Sequence, residues 1–211
     1  MSKKEEFLKM INFRHACKVF DETKKISDDD IDYILEAGRK SPSSFGMEAW
    51  KFLVITNDKL REKLKPFCWN QPQITTCSHL IVILAGIETL KVESGIVRSR
   101  FMRRNLPQNK LDAYLRLYAS HLNETLSSDK KIYQWSAKQT YIAAANMMNA
   151  AAFIEIDSCP IEGFEKENIE KVLKLDTSKF QVAMLLPFGY RINKQSTQLR
   201  LSFESVVKFI K

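Results

Sequence analysis

The segment from Ile132 to Phe153 limits what this chain can fold into more than any other. It carries the longest mostly apolar helical pattern in the sequence, with small residues at Ala143, Ala144, Ala145, Ala150, Ala151 and Ala152 and adaptable fillers at Met147 and Met148. A helix that is apolar nearly all round has to be central, in the core or at a subunit interface. Gln139 is a polar residue in that apolar setting and is expected to hydrogen-bond nearby backbone.

The remaining elements are read around this helix. Phe7, Leu8, Met10 and Ile11 are spaced as one face of a short helix. Ser27 and Asp30 read as an N-cap pair, after which Ile31, Ile34, Leu35 and Gly38 share a face until Pro42 stops the helix. Ser41 to Gly46 is a loop of turn-forming residues. Trp50–Ile55 reads as a buried strand and His79–Ala85 as a second one, with a helix over 58–67 between them. Residues 88–105 are amphipathic and basic, and Arg98, Arg100, Arg103 and Arg104 read as a solvated helix face because no aromatic stacking platform lies beside them. Helices over 109–127 and 166–173, a strand over 180–186 and a short amphipathic element in 200–207 complete one α+β domain over 1–211, richer in helices than in strands.

Composition narrows the function classes. The net charge of +8 is compatible with nucleic acid, an anionic surface or anionic small molecules, but the basic residues are spread along the chain. Cys17, Cys68, Cys77 and Cys159 form no Cys-x-x-Cys pair and have no His at zinc-finger spacing, so no metal is expected and reduced thiols in a cytoplasmic protein are. Met1 to Glu6 has charge without an apolar core of signal-peptide length, and no run approaches a membrane span.

One short stretch reads either as a grip for an anionic ligand or as a solvated basic turn. Arg14-His15-Ala16-Cys17-Lys18 places two cations and an imidazole within five residues. In extended chain, alternation sends Arg14, Ala16 and Lys18 to one face and His15 and Cys17 to the other. Arg14 can grip a phosphate through its planar fork while Lys18 offers a point charge. Cys17, beside two cations, reads either as a thiol of depressed pKa or as a packing residue.

Four separated pieces, Arg14 to Lys18, Ser41 to Trp50, Pro160-Ile161-Glu162-Gly163-Phe164, and Leu186 to Tyr190 followed by Arg200, together resemble the nitroreductase family of FMN-dependent NAD(P)H oxidoreductases. The resemblance runs from about residue 8 to the C-terminus. Ser-Pro-Ser-Ser-Phe-Gly-Met-Glu before Trp50 and Trp69-Asn70-Gln71-Pro72-Gln73-Ile74 are similar to the branch described as NAD(P)H-dependent nitroreductases or flavin oxidoreductases. It implies a central, mostly antiparallel sheet surrounded by helices and a domain-swapped-like homodimer with FMN at the interface. Arg14 and Arg200 would hold the phosphate. His15, Ala16 and Cys17 would line the flavin partly through backbone, and Lys18 would sit where negative charge collects in the reduced ring. Pro42, Ser43 and Ser44 would close over the flavin from the other subunit, Asn70 would bond the pyrimidine edge, and Gln73 would stand near it. Glu162 and Gly163 would turn backbone N–H groups toward N5, with glycine permitting close approach. No side chain is implied as a catalytic acid or base, because N5 carries the chemistry.

The resemblance implies NADH or NADPH as hydride donor and a small electron-poor acceptor, with neither nucleic acid nor membrane as partner. Rivals are another flavin reaction on the same fold, dehalogenation or flavin fragmentation, and a basic nucleic-acid-binding protein. The chain departs from the family pattern at Ala16 (often serine), Gln73 (a lysine in one branch), Gln198 (often lysine), Ala49 (usually proline) and Glu155 (often a helix-ending glycine). Three of these changes remove a cation or a hydroxyl from around the flavin.

Overall fold

A computed structural model describes residues 1–211. In chain order the elements are α1 (Lys3–Phe13), α2 (Asp28–Arg39), β1 (Trp50–Ile55), α3 (Asp58–Leu64), α4 (Gln73–Thr76), β2 (His79–Gly86), α5 (Ile96–Met102), α6 (Gln108–Thr125), α7 (Asp129–Phe153), β3 (Asp157–Ser158), α8 (Lys166–Val172), β4 (Phe180–Gly189) and α9 (Phe203–Val206). The four strands form one antiparallel sheet in the order β1-β2-β4-β3. No helix is long and apolar enough to cross a membrane.

The sheet is packed on both faces. On one, Ile81, Ile83, Met184, Leu186 and Phe188 meet Ile31 and Ile34 of α2 and Ala144, Met147 and Ala151 of α7. On the other, Leu80, Val82, Leu84, Val182 and Leu185 meet Leu64, Ile74, Cys159 and Ile169. Strands β2 and β4 are therefore apolar along nearly every residue, the pattern of strands covered on both sides. The alanine-rich helix is central as expected. Gly38 of α2 lies so near it that a Cβ there would fall 2.1 Å from Met147 Cε.

Three expectations are corrected. Trp50–Ile55 is the edge strand rather than a buried one, leaving Lys51 exposed and Val54 41% exposed. The helix over 58–67 ends at Leu64 and tightens into a 3-10 turn at Lys65–Cys68, where Pro66 cannot supply the donor an α-helix needs. Residues 88–105 form two 3-10 turns and only a short helix, α5, whose apolar side joins a separate core of Phe101, Tyr118, Leu122 and Ile132.

The end of α7 explains one departure. The Ile156 N–H donates to Ala151 O (2.8 Å) and the Glu155 N–H to Ala152 O (3.2 Å), a Schellman closure with Glu155 left-handed at φ 59°. This turn delivers Asp157, Ser158 and Cys159 to the sheet.

His79, at the start of β2, is 9% exposed, with Nδ1 3.0 Å from Ser78 Oγ. Burial, and then the Arg61 guanidinium, push its pKa below the ordinary 6.5. The unfolded chain therefore takes up the proton first, so stability is full above about pH 6.5 and falls as pH is lowered through the window beneath it. The urea midpoint should fall between about pH 7.5 and pH 5.5, and less steeply in His79→Gln. Equal slopes would refute this.

Candidate functional site

Helix α1 stops where Arg14 turns extended (φ −69°, ψ 123°), and the strip that follows runs beside β3. Ala16 bridges Ser158 in parallel, and the Cys17 N–H donates to Ser158 O (3.1 Å). The alternation read from sequence holds from His15 to Lys18, with His15 and Cys17 turned inward and Ala16 and Lys18 exposed, but not at Arg14, which is half-buried. Lys18 Nζ reaches 3.7 Å from Cys159 Sγ. Cys17 is not an activated thiol. Burial, reinforced by the Asp157 carboxylate, raises its pKa to about 12, against which its cationic neighbours count for little. His15 also stays neutral more readily than usual, because burial and then the Arg191 guanidinium outweigh Asp157, whose Oδ1 lies 3.6 Å from Nδ1.

The segment after β3 makes the second half of the site. Ile161 and Leu185 exchange backbone hydrogen bonds (2.9 and 3.2 Å), and the Phe164 N–H donates to Glu162 O (3.0 Å), closing a three-residue turn centred on Gly163. Within this turn the N–H groups of Glu162 and Gly163 donate to no acceptor in the chain. The Glu162 carboxylate accepts from Tyr141 Oη on α7 (2.8 Å), and burial together with that bond pushes the tyrosine up to about 12.

The close approach that Gly163 permits is made by a side chain. A Cβ there would lie 2.6 Å from Trp69 Cζ3 and 2.7 Å from Cε3. Trp69 and Asn70 are both left-handed (φ 54° and 53°) and exposed, Trp69 by 69%. Gln71 Nε2 donates to Gly163 O (2.9 Å), and Gln73, 1% exposed, donates through Nε2 to Gln71 Oε1 (2.8 Å). Gln73 Nε2 also lies 3.8 Å from Cys159 Sγ. Thus Lys18, Gln73 and Gly163 are joined through Cys159 and Gln71.

Pro42, Ser43 and Ser44 are held elsewhere. Ser43 Oγ accepts from the Glu48 N–H (2.8 Å), and the Ser44 N–H donates to Gln139 Oε1 (2.9 Å), fulfilling the backbone role expected of Gln139. No hydrogen bond joins them to the 14–18 strip or to the Gly163 turn of the same chain. Two arginines read as a solvated face grip this loop instead: Arg103 pairs with Glu48 (2.9 Å) and Arg104 Nη2 donates to Phe45 O (2.7 Å). Arg200 is exposed, but its tail is fastened near Arg14, because Gln198 Nε2 donates to the carbonyls of Ile11 (3.2 Å), Asn12 (3.1 Å) and Arg14. Gln198 thus anchors the tail on the end of α1.

Sequence reading missed Asp157, Arg191, Trp69, Gln71 and Tyr141. Asp157 Oδ2 accepts from both the Arg191 backbone N–H and Nε (2.9 Å each), and Nη2 lies 2.6 Å from Oδ1, off the line of a hydrogen bond. Only Trp69 and Gln71 carried a signal, as members of the Trp-Asn-Gln-Pro-Gln motif.

A four-stranded antiparallel sheet over an alanine-rich helix defines the class, an α+β chain in which the Arg14–Lys18 strip runs along β3 and Lys18 reaches Cys159, four residues before the Gly163 turn. The Nitroreductase family model matches residues 11–190. The chain belongs to the nitroreductase family. It is 40% identical to YfkO of Bacillus subtilis over 98% of both chains, and 40% identical to a Haemophilus influenzae protein over 98% of this chain and 97% of that one; both carry NAD(P)H nitroreductase names. A nitroreductase-like protein of Streptococcus mutans superposes at TM-score 0.88 with 19% identity, over 99% of this chain and all of that one. A nitroreductase of Exiguobacterium sibiricum, solved in complex with FMN, superposes at 0.82 with 21% identity over 97% of both chains. These two likenesses establish the fold.

Proposed function

We propose that this chain is an FMN-dependent NAD(P)H oxidoreductase, one domain over 1–211, that works as a cytoplasmic homodimer. It takes hydride from NADH or NADPH and then, in ping-pong order, reduces an electron-poor acceptor such as a nitroaromatic, a quinone, a free flavin or a pterin. The observation that carries the reading is the Glu162–Gly163 turn, whose two N–H groups have no acceptor in the chain and stand beside a cationic strip. Adjacent free donors suit the electron-rich edge of a flat heterocycle. The FMN complex of one structural relative and the NAD(P)H nitroreductase names of the 40% relatives support the same choice.

When bound, FMN supplies the centre that accepts and releases hydride. Arg14 and Arg200 would hold its phosphate as fork donors, and Lys18 would supply positive charge beside the ring. Ala16, packed against Ser158, offers backbone only, while His15 and Cys17 fill the space behind it. Asn70, exposed on its left-handed backbone, would offer its carboxamide to the pyrimidine edge, while Gln73, expected near that edge, is 1% exposed and donates instead to Gln71. With Glu162 occupied by Tyr141, the turn acts through its N–H groups and not through its carboxylate.

Two features support a second subunit. The Pro42–Ser44 loop is unconnected to the rest of the site within one chain, so closing over the flavin falls to a partner's loop. The tail also leaves Leu199, Leu201, Phe203, Phe209 and Ile210 between 61% and 91% exposed, apolar side chains that a second subunit would cover. The four free, buried thiols fit a reducing compartment.

Purified protein should be yellow, have a solution mass twice the 24.5 kDa of the chain, and bleach when mixed anaerobically with NADH or NADPH. A colourless protein that takes up no added FMN overturns the proposal.

A further inference from the structure

We infer that Gln71 is a positioning residue, which through a one-way amide relay holds the Gly163 turn in the orientation that presents its N–H groups. The inference rests on the reading of that turn as the flavin-facing element. Glycine has the least intrinsic preference for one backbone conformation, so a hydride site built on Gly163 needs outside restraint. The sheet fixes the turn's entry through Ile161 and Leu185, and the Glu165 N–H fixes its exit by donating to Phe67 O (2.8 Å). Between them the Gly163 carbonyl is held by Gln71 Nε2 (2.9 Å), the one side-chain hydrogen bond this residue receives.

The direction of the relay follows from the chemistry of its end. A backbone carbonyl only accepts, so Gln71 must present Nε2 to Gly163 and therefore Oε1 to Gln73. Gln73 must then present Nε2, which it does at 2.8 Å, and its own Oε1 becomes the free end, buried without a donor. Reversing either carboxamide would set two acceptors face to face. An orphaned buried acceptor is costly, and here it accompanies a fixed donor at the turn.

Gln71→Glu keeps the shape and the acceptor facing Gln73 but, when ionised, loses the donor facing Gly163. A protonated carboxyl restores that donor. Gln71→Met removes both functions at every pH. FMN dissociation constants measured by flavin fluorescence, normalised to wild type at each pH, should weaken about tenfold in Gln71→Met throughout. In Gln71→Glu they should weaken by a similar factor at about pH 8 and recover as the carboxyl titrates toward about pH 5. In the FMN-free proteins, hydrogen exchange at the Phe164 and Glu165 amides should accelerate with the same pattern. Wild type that binds FMN alongside variants of unchanged affinity and exchange overturns the inference and leaves the flavoprotein reading standing. Wild type that binds no FMN overturns both.

Discussion

Replacing Arg191 by methionine should cost about 3 to 5 kcal/mol of stability. Asp157 is 4% exposed, and its carboxylate is held by Arg191 through one backbone and one side-chain bond to Oδ2 and an ion contact to Oδ1. No other cation approaches it within ion-pair distance except His15, which burial holds toward the neutral form. The same guanidinium lies 4.1 Å from the Phe13 ring centroid and donates to Gln195 Oε1 (2.9 Å), so it ties β3, the end of α1 and the start of the tail into one knot. Removing it leaves the buried carboxylate with only the His15 ring within ion-pair distance. Asp157→Asn combined with Arg191→Met should recover most of the loss, because no charge is then left unpaired. Urea unfolding of the single and the double variant checks this, and a single-variant loss under about 1 kcal/mol would contradict the account.

Gly163→Ala should do the opposite, damaging function while sparing the fold. The new methyl would lie 2.6 Å from the Trp69 ring, but that ring is 69% exposed and can swing into water. The unfolding midpoint should scarcely move. The indole, however, can no longer lie flat on the turn, and the methyl stands next to the two free N–H groups. A displacement of about 1 Å at a reacting centre can cost about a hundredfold in rate. We therefore expect FMN retention on ultrafiltration to drop and anaerobic reduction by NADH to slow by at least about tenfold. Retention and rate equal to wild type would show that the turn does not face the cofactor.

Much of this architecture was legible because periodicity reports burial. The Ser27 cap, the two-sided apolar runs of β2 and β4, the alanine-rich α7 and the alternation from His15 to Lys18 each follow from side-chain spacing. The edge position of β1 was not legible, since Trp-Lys-Phe-Leu-Val-Ile has the same composition whether one neighbour or two will pair with it. Strand β3, two residues long, is too short to have a period. The Asp157–Arg191 pair joins residues 34 apart, and nothing in a charge's identity tells a buried pair from a solvated one. Of the site, the family resemblance brought forward the residues that would touch the ligand. It left out those that hold them: Gln71 behind Gly163, Tyr141 on Glu162, and Arg103 and Arg104 on the loop that contains Ser43.

The four cysteines have a practical consequence. All are free, none exceeds 2% exposure, and burial raises every one of their pKa values, Cys68 to about 12 and Cys77 to about 11. Native protein should therefore resist alkylating reagents, each sulfur being labelled when its own neighbourhood opens. Labelling at Cys17 and Cys159 would time the breathing of the β3 edge, and labelling at Cys68 and Cys77 the packing behind β2. The chain carries its own stopwatch for local opening at two places, with no probe added.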